Sequence, residues 1–211
     1  MIKVSDYYKK NHSSIANLDK FADVSPCSDV FPFEGLYIGE FESVTGHKLP
    51  ALLSFEEING LCFLSNSTNR RYINKMIQSI VLRFVASLPL ELCRFFLYDG
   101  TGLGANLITL SNLSSQITGG EIITESQALL KALRDIQSHI PNVIQKVLGY
   151  KYSDKTLIEF NSISKENTVP YNFLVITDYP HSFSREHFES LQMILKNCKK
   201  AGVFIIMSMD T

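Results

Sequence analysis

The sequence predicts an α/β fold built on a mostly parallel sheet, and two observations carry that prediction. From Gly60 onward, short and nearly continuous apolar runs at Leu61 to Leu64, Cys93 to Tyr98, Phe173 to Ile176 and Val203 to Met207 alternate with segments of helical periodicity. That is the rhythm of strand-helix-strand units, with strands covered on both faces. Before Gly60 the rhythm differs. Gly35-Leu36-Tyr37-Ile38-Gly39-Glu40-Phe41 alternates with period two, Val44 to Lys48 reads as a turn, and Leu49 to Phe55 returns. A small β hairpin is expected there.

Each later element has its own signal. Ile73, Met76, Ile77, Ile80, Val81, Phe84, Val85 and Leu88 recur at helical steps until Pro89 closes the segment. A second helix is expected from Ser126, as N-cap, through Leu129, Leu130, Leu133, Ile136 and Ile140, with Pro141 breaking or kinking it. A third runs from Ser184 to Lys200, where lysines suit the negative end of the helix dipole before Gly202. Ser162 to Tyr171 reads as a polar loop, and the stretch up to Lys20 as a short helix or an arm.

Composition narrows the classes of function. The 211 residues, 45% hydrophobic and 19% charged with a net charge of −1, suit one sizeable core or one domain with an appendage, not a disordered tail. No apolar run approaches the roughly 20 residues that span a bilayer. MIKVSDYYKKNHSS lacks the apolar region of a secretory leader. A soluble, cytoplasmic protein is the expectation. Cysteines 27, 62, 93 and 198 form no CxxC pair and keep no metal-ligand spacing with a histidine, so they read as small core hydrophobes. The only adjacent basic pairs are Lys9-Lys10, Arg70-Arg71 and Lys199-Lys200. Contact with DNA would need other subunits or domains.

In an open α/β sheet, ligands sit at the carboxyl ends of the strands, and three places qualify. Ser65-Asn66-Ser67-Thr68-Asn69-Arg70-Arg71 joins the first buried run to the strongest helix, where a phosphate-binding loop belongs. The loop has neither glycine nor lysine. Without them the backbone does not wrap freely around a phosphate, and the charge of a β/γ-phosphate loses its usual partner. Arg70 or Arg71 could stand in, although a polar capped turn is the plainer reading. The second place is Asp178, after Phe173 to Thr177, which could bind a magnesium-coordinated water or cap the turn at Pro180. It is followed by Tyr179 rather than by a carboxylate base. The third, Asp99-Gly100-Thr101-Gly102-Leu103-Gly104, resembles a dinucleotide fingerprint only superficially. No GxSxG, HExxH or Cys-His signature occurs, and His139, His181 and His187 read as solvated single histidines.

Taken in order, these pieces resemble the motor domain of the FtsK/SpoIIIE family. These are RecA-like P-loop ATPases of the FtsK-HerA group that pump DNA, with relatives that pump protein in type VII secretion. Leu36 to Gly39 and Gly46 to Pro50 are similar to the β preface, and Ile73 to Ile77 to the helix after Walker A. Phe96 to Gly104 resembles the strand and "D-P-K-G" loop, Gly119 to Thr124 the short strand before the long helix, and Thr156 to Asn161 the "I-x-E-Y-N" element. Phe173 to Asp178 resembles the Walker B strand, and Lys199 to Ile206 the "R-A-A-G-I-H" helix end and last central strand.

The resemblance implies a RecA-like three-layer fold over residues 60–211, a β preface at 35–59 and an arm at 1–34. The departures fall on the catalytic positions. Walker A is replaced across Ser65 to Arg71, the Walker B glutamate by Tyr179, the glutamine after the last strand by Asp210, and the arginine acting across a subunit boundary by Lys199. Phosphoryl transfer rests on positioning and charge stabilisation, with an arginine finger alone contributing on the order of 10³ to 10⁵ in rate. The resemblance therefore implies a degenerate ATPase, with ATP and magnesium bound weakly or not at all. Asp178 would be the surviving metal-side acid, and other FtsK/SpoIIIE-type domains or subunits the partners. Family members continue past their last central strand, so a fragment or a reduced domain is expected.

Overall fold

The computed structural model describes residues 36–54, 58–164 and 166–211. The expected N-terminal arm and Cys27 lie outside them. Strands β1 (Leu36–Glu42) and β2 (Lys48–Leu53) pair antiparallel, from Leu36 opposite Leu53 to Glu42 opposite Lys48. Gly46 takes the turn at φ 80°, a conformation that a residue with a Cβ rarely adopts. Leu36 and Leu53 are buried in the main core while Phe41 and Leu49 are exposed. The hairpin thus turns one apolar edge inward.

The remaining strands are β3 (Gly60–Ser65), β4 (Cys93–Tyr98), β5 (Tyr171–Tyr179) and β6 (Val203–Asp210). All are parallel, in the order β3-β6-β5-β4. Helix α1 (Arg70–Ser87) carries the chain from the β3 edge to the β4 edge. The short α2 (Ser115–Thr118), α3 (Ser126–Asn142), α4 (Leu157–Ile163) and α5 (Arg185–Asn197) lie on the way back. Because parallel crossovers are right-handed, the outward and return helices occupy opposite faces of the sheet. Helices α3 and α5 pack together.

Strand β5 runs through the middle and is buried from Tyr171 to Asp178. Phe173 is the hub of the core, its ring centroid 4.5 Å from that of Phe84, 4.6 Å from Phe95 and 5.3 Å from Phe204. The expected "I-x-E-Y-N" element is the start of α4. There the Thr156 hydroxyl accepts from Glu159 N (3.3 Å) and Glu159 Oε2 accepts from Thr156 N (2.6 Å), a capping box. The expected strand before α3 contributes one parallel bridge, Ile123 to Tyr98.

Several expectations are corrected. Strand β3 is not covered on both faces: it occupies a sheet edge, its exposure alternates, and Leu64 is 63% exposed. Cys62 is accordingly exposed, whereas Cys93 and Cys198 are buried as expected. Ser126 is the first residue of α3 rather than its cap, which is Glu125, and its hydroxyl donates to Ser182 O at 3.2 Å. Pro141 does not break the helix. The chain stays wound and its bonding widens to a π turn over Val143–Leu148, with Gly149 N–H reaching Ile144 O at 3.1 Å. His187 is buried, not solvated. Its Nδ1 accepts from Ser184 N at 3.2 Å and its Nε2 donates to Ser126 O at 2.8 Å, so one imidazole fastens the start of α5 to the start of α3.

His139, near the end of α3, has its pKa lowered by burial, against an opposing contact of Nε2 with Ala201 O at 3.3 Å. A lowered folded-state pKa means that the unfolded chain takes up the proton first as the pH falls. The stability due to neutral His139 is present in full above about pH 6.5 and is lost as the pH falls from there through the folded value. Urea midpoints compared at about pH 7.5 and pH 5.5 should drop further for the native chain than for His139→Gln.

Candidate functional site

The carboxyl ends of β3, β6, β5 and β4 bring four segments together: the turn 65–70, the end of β6, the bend after Asp178, and the loop 99–106. This is where a ligand of a parallel α/β sheet sits. Ser65 closes β3, buried, with its hydroxyl donating to Met209 O at 3.2 Å.

The turn that follows is closed on itself. Asn66 Oδ1 accepts from Thr68 N (3.0 Å), Asn69 N (3.2 Å) and Thr68 Oγ1 (2.6 Å), while Asn66 N donates to Asn69 Oδ1 at 2.7 Å. Arg70 N donates to Asn66 O at 2.9 Å. Of the N–H groups around the helix start that could face a phosphate, those of Thr68 and Asn69 are taken by a side-chain amide and that of Arg70 by a backbone carbonyl. Ser67 and Thr68 are exposed on the outer rim of the turn, as is Arg71 at the start of α1.

Arg70 points the other way, into the site. Its Nη2 lies 2.8 Å from Asp210 Oδ1, and its Nε lies 3.2 Å from Asp178 Oδ1 without the alignment of a hydrogen bond. The Asp210 hydrogen bond, then the charge of Asp178, push the guanidinium further up from its already high pKa. It is a permanent cation between two carboxylates. Asp178 is held from its remaining sides as well: Thr101 Oγ1 donates to its Oδ2, and its own N–H donates to Ser208 Oγ at 2.8 Å. Its φ of 55° is left-handed, which turns the carboxylate out of the run of β5. Tyr179 packs its ring edgewise on Phe183 and Phe188, at 5.0 and 5.8 Å. It is a wall and offers no carboxylate.

A second acid underlies the site. Asp99, fully buried, accepts from Gly102 N (3.0 Å), Asn106 N (2.9 Å), Asn106 Nδ2 (2.9 Å) and Thr177 Oγ1 (2.9 Å). These bonds fix the glycine-rich loop from which Thr101 reaches Asp178. The loop therefore supports the site by its side chains and makes no dinucleotide cradle: a Cβ on Gly102 would stand 2.7 Å from Asp99 Oδ2, so glycine is there to let the chain close over its own carboxylate.

Of the residues singled out in the sequence, the structure brings together Ser65, Asn66, Asn69, Arg70, Asp178 and Asp210. Lys199 is not among them. It is exposed in the turn before β6, at the amino edge of the sheet and so at the opposite end from Asp178. His181 is exposed in the turn after Asp178, and His187 serves the helix starts. Sequence reasoning missed Asp99 and Thr101 as supports, and Asn66 as the group that fills the turn. The Asn-x-x-Asn spacing of 66–69 was the available signal for the last. Among the described residues, no group of three or more His, Cys, Asp or Glu could hold a metal ion, and no helix is long and apolar enough to cross a membrane. Asp99→Ala would strand those buried donors, so it should destabilise the chain by at least about 3 kcal/mol in urea unfolding.

No family model matches this chain, and no curated protein does. Solved structures do. The chain is similar to EssC (ATPases 2 and 3) from Geobacillus thermodenitrificans, with a TM-score of 0.70 at 12% identity over 89% of this chain and 36% of that one. It is similar to Thermomonospora curvata EccC (ATPases 2 and 3) in complex with a signal sequence peptide, with a TM-score of 0.62 at 17% identity over 87% and 32%. The pCW3 conjugation coupling protein TcpA gives a TM-score of 0.59 at 12% identity over 86% and 52%. The chain thus spans between about a third and about half the length of these proteins. What this chain shares with these ATPase and coupling-protein structures is the fold, a parallel α/β sheet with helices on both faces.

Proposed function

We propose that this chain is a catalytically degenerate ATPase domain of FtsK/SpoIIIE type that serves as a binding or scaffolding part of a translocating assembly on the cytoplasmic side of a membrane. The observation that carries the reading is the filled site. In a working phosphate loop, backbone N–H groups and a lysine surround the β- and γ-phosphates, while a metal held by a carboxylate neutralises developing charge. Here Asn66 Oδ1 takes the N–H groups of Thr68 and Asn69, and the Arg70 guanidinium stands against Asp178. Both roles are filled from within the chain. Asp178 and Asp210 would be the acids nearest any metal, and no carboxylate follows Asp178 to orient an attacking water.

Support for an assembly role comes from the similar structures, which are parts of larger proteins described as ATPases 2 and 3 or as a coupling protein. Partners are then other domains or subunits of FtsK/SpoIIIE type. A docking role in a type VII-like secretion apparatus is the second reading, favoured by the similarity to EccC and EssC. DNA belongs to the first reading only in the assembled state, since the charge of the chain is balanced.

The test is hydrolysis and binding on the purified chain. With ATP and magnesium the chain should show no turnover and no thermal stabilisation by nucleotide. Turnover near about 1 per second, abolished by Asp178→Ala, would instead establish an active translocase with unorthodox site residues. Salt-dependent DNA affinity, against capture of a protein partner without DNA, separates the two assembly readings.

A further inference from the structure

The β3 edge of the main sheet is open. Strand β3 bonds to β6 on one side, and no other strand among the described residues joins it. Ile205 N donates to Asn59 O at 3.1 Å and Thr211 N to Ser65 O at 3.0 Å. With the register from Gly60 opposite Ile205 to Ser65 opposite Asp210, these bonds commit the odd-numbered residues of β3 to β6. In a parallel ladder the residues between them turn their N–H and C=O groups the other way. Gly60, Cys62 and Leu64 therefore present their backbone groups to the outside. Leu64 O is touched there by Asn69 Nδ2 at 3.4 Å, and a carbonyl keeps a second lone pair. Natural sheet edges commonly carry a lysine, a proline or a bulge that discourages pairing. Gly60–Ser65 has no charge and no proline, and its register with β6 has no shift.

We propose that this edge pairs antiparallel with β3 of a second copy of the chain, about a two-fold axis at Cys62, to make one continuous sheet. The outward residues are symmetric about that axis. Cys62 meets Cys62 of the second copy and Gly60 meets Leu64, so that each outward N–H faces an outward C=O. The side chains fit the same register. Gly60, Cys62 and Leu64 share one face of the strand and all are exposed. The Leu64 side chain, 63% exposed, then lies over a glycine of the second copy, where no Cβ opposes it. A two-fold contact sets the strand against itself, which a charge near the axis would oppose, and β3 carries none. Beyond the strand the sequence changes sign, with Glu56-Glu57 before it and Arg71 after it. Antiparallel pairing brings the leading end of one copy to the trailing end of the other. The proposal goes beyond the reading of the strand-end site and does not depend on it.

Sedimentation velocity of the native chain under reducing conditions should show a monomer–dimer equilibrium with Kd below about 10⁻⁴ M. Cys62→Lys, which sets two ammonium groups against each other on the axis, should weaken it by at least about tenfold, whereas Cys62→Ser should leave it in place. Opposed residues of a hydrogen-bonded antiparallel pair stand about 5.5 Å apart at Cα, within disulfide reach. On a Cys27→Ser background, mild oxidation should therefore link the Cys62 thiols of the two copies. It should not link Leu64→Cys combined with Cys62→Ser, whose exposed thiol would lie opposite Gly60. A native chain that stays monomeric at that concentration, a dimer that Cys62→Lys leaves intact, or equal cross-linking from position 64 would overturn the proposal. Should Cys62→Lys fail to fold by circular dichroism, Cys62→Asp takes its place.

Discussion

Two carboxylates at the ends of neighbouring parallel strands repel each other, and one of them is nearly removed from water. Arg70 resolves both problems at once, and the local structure is arranged around it. The residue sits at the start of α1, where backbone dipoles already leave positive partial charge, and it draws Asp178 and Asp210 toward that helix end. Thr101 and Asp99 then tie the loop after β4 to the same point. Four strand ends are fastened through one guanidinium and one buried carboxylate. Removing Arg70 would leave the buried Asp178 beside Asp210 without a counter-charge, a loss softened because Arg70 and Asp210 are themselves 38% and 50% exposed.

The turn before α1 explains why this end of the sheet differs from a phosphate cradle of the same topology. A cradle needs a backbone that opens around an anion, with its N–H groups left vacant. Asn66 gives the opposite: a tight turn whose acceptor is its own side chain. The acceptor in this turn is a neutral amide held at fixed distance, not a charged ligand arriving from solution.

Much of this was legible from residue patterns. Helix α1 declared itself through Ile73, Ile77, Ile80, Val81 and Phe84, all of which are buried. The hairpin showed in its period-two alternation and Gly46, and the central strand in the unbroken run Phe173 to Ile176. The edge position of β3 was not legible, since a run of four apolar residues reads alike in the middle of a sheet and at its border until the strand order is known. Nor was the role of His187, because its partner Ser126 comes from a different helix brought near only by the crossovers. Asp178 and Asp210 could be placed at strand ends, but that Arg70 spans both depends on β5 and β6 being neighbours. Thr101 and Asp99 stayed hidden for the same reason: their value lies in contacts across the sheet.

Strand order also bears on the birth of the chain. The first strand of the main sheet to leave a ribosome is β3, yet its only strand partner among the described residues is β6, with Gly60 opposite Ile205. Until β6 emerges, β3 has helix α1 for company and no ladder to join. The nascent polypeptide therefore carries an unpaired, charge-free strand until β6 has been made, a state in which chaperone protection counts for more than it does in folds whose early strands pair with each other.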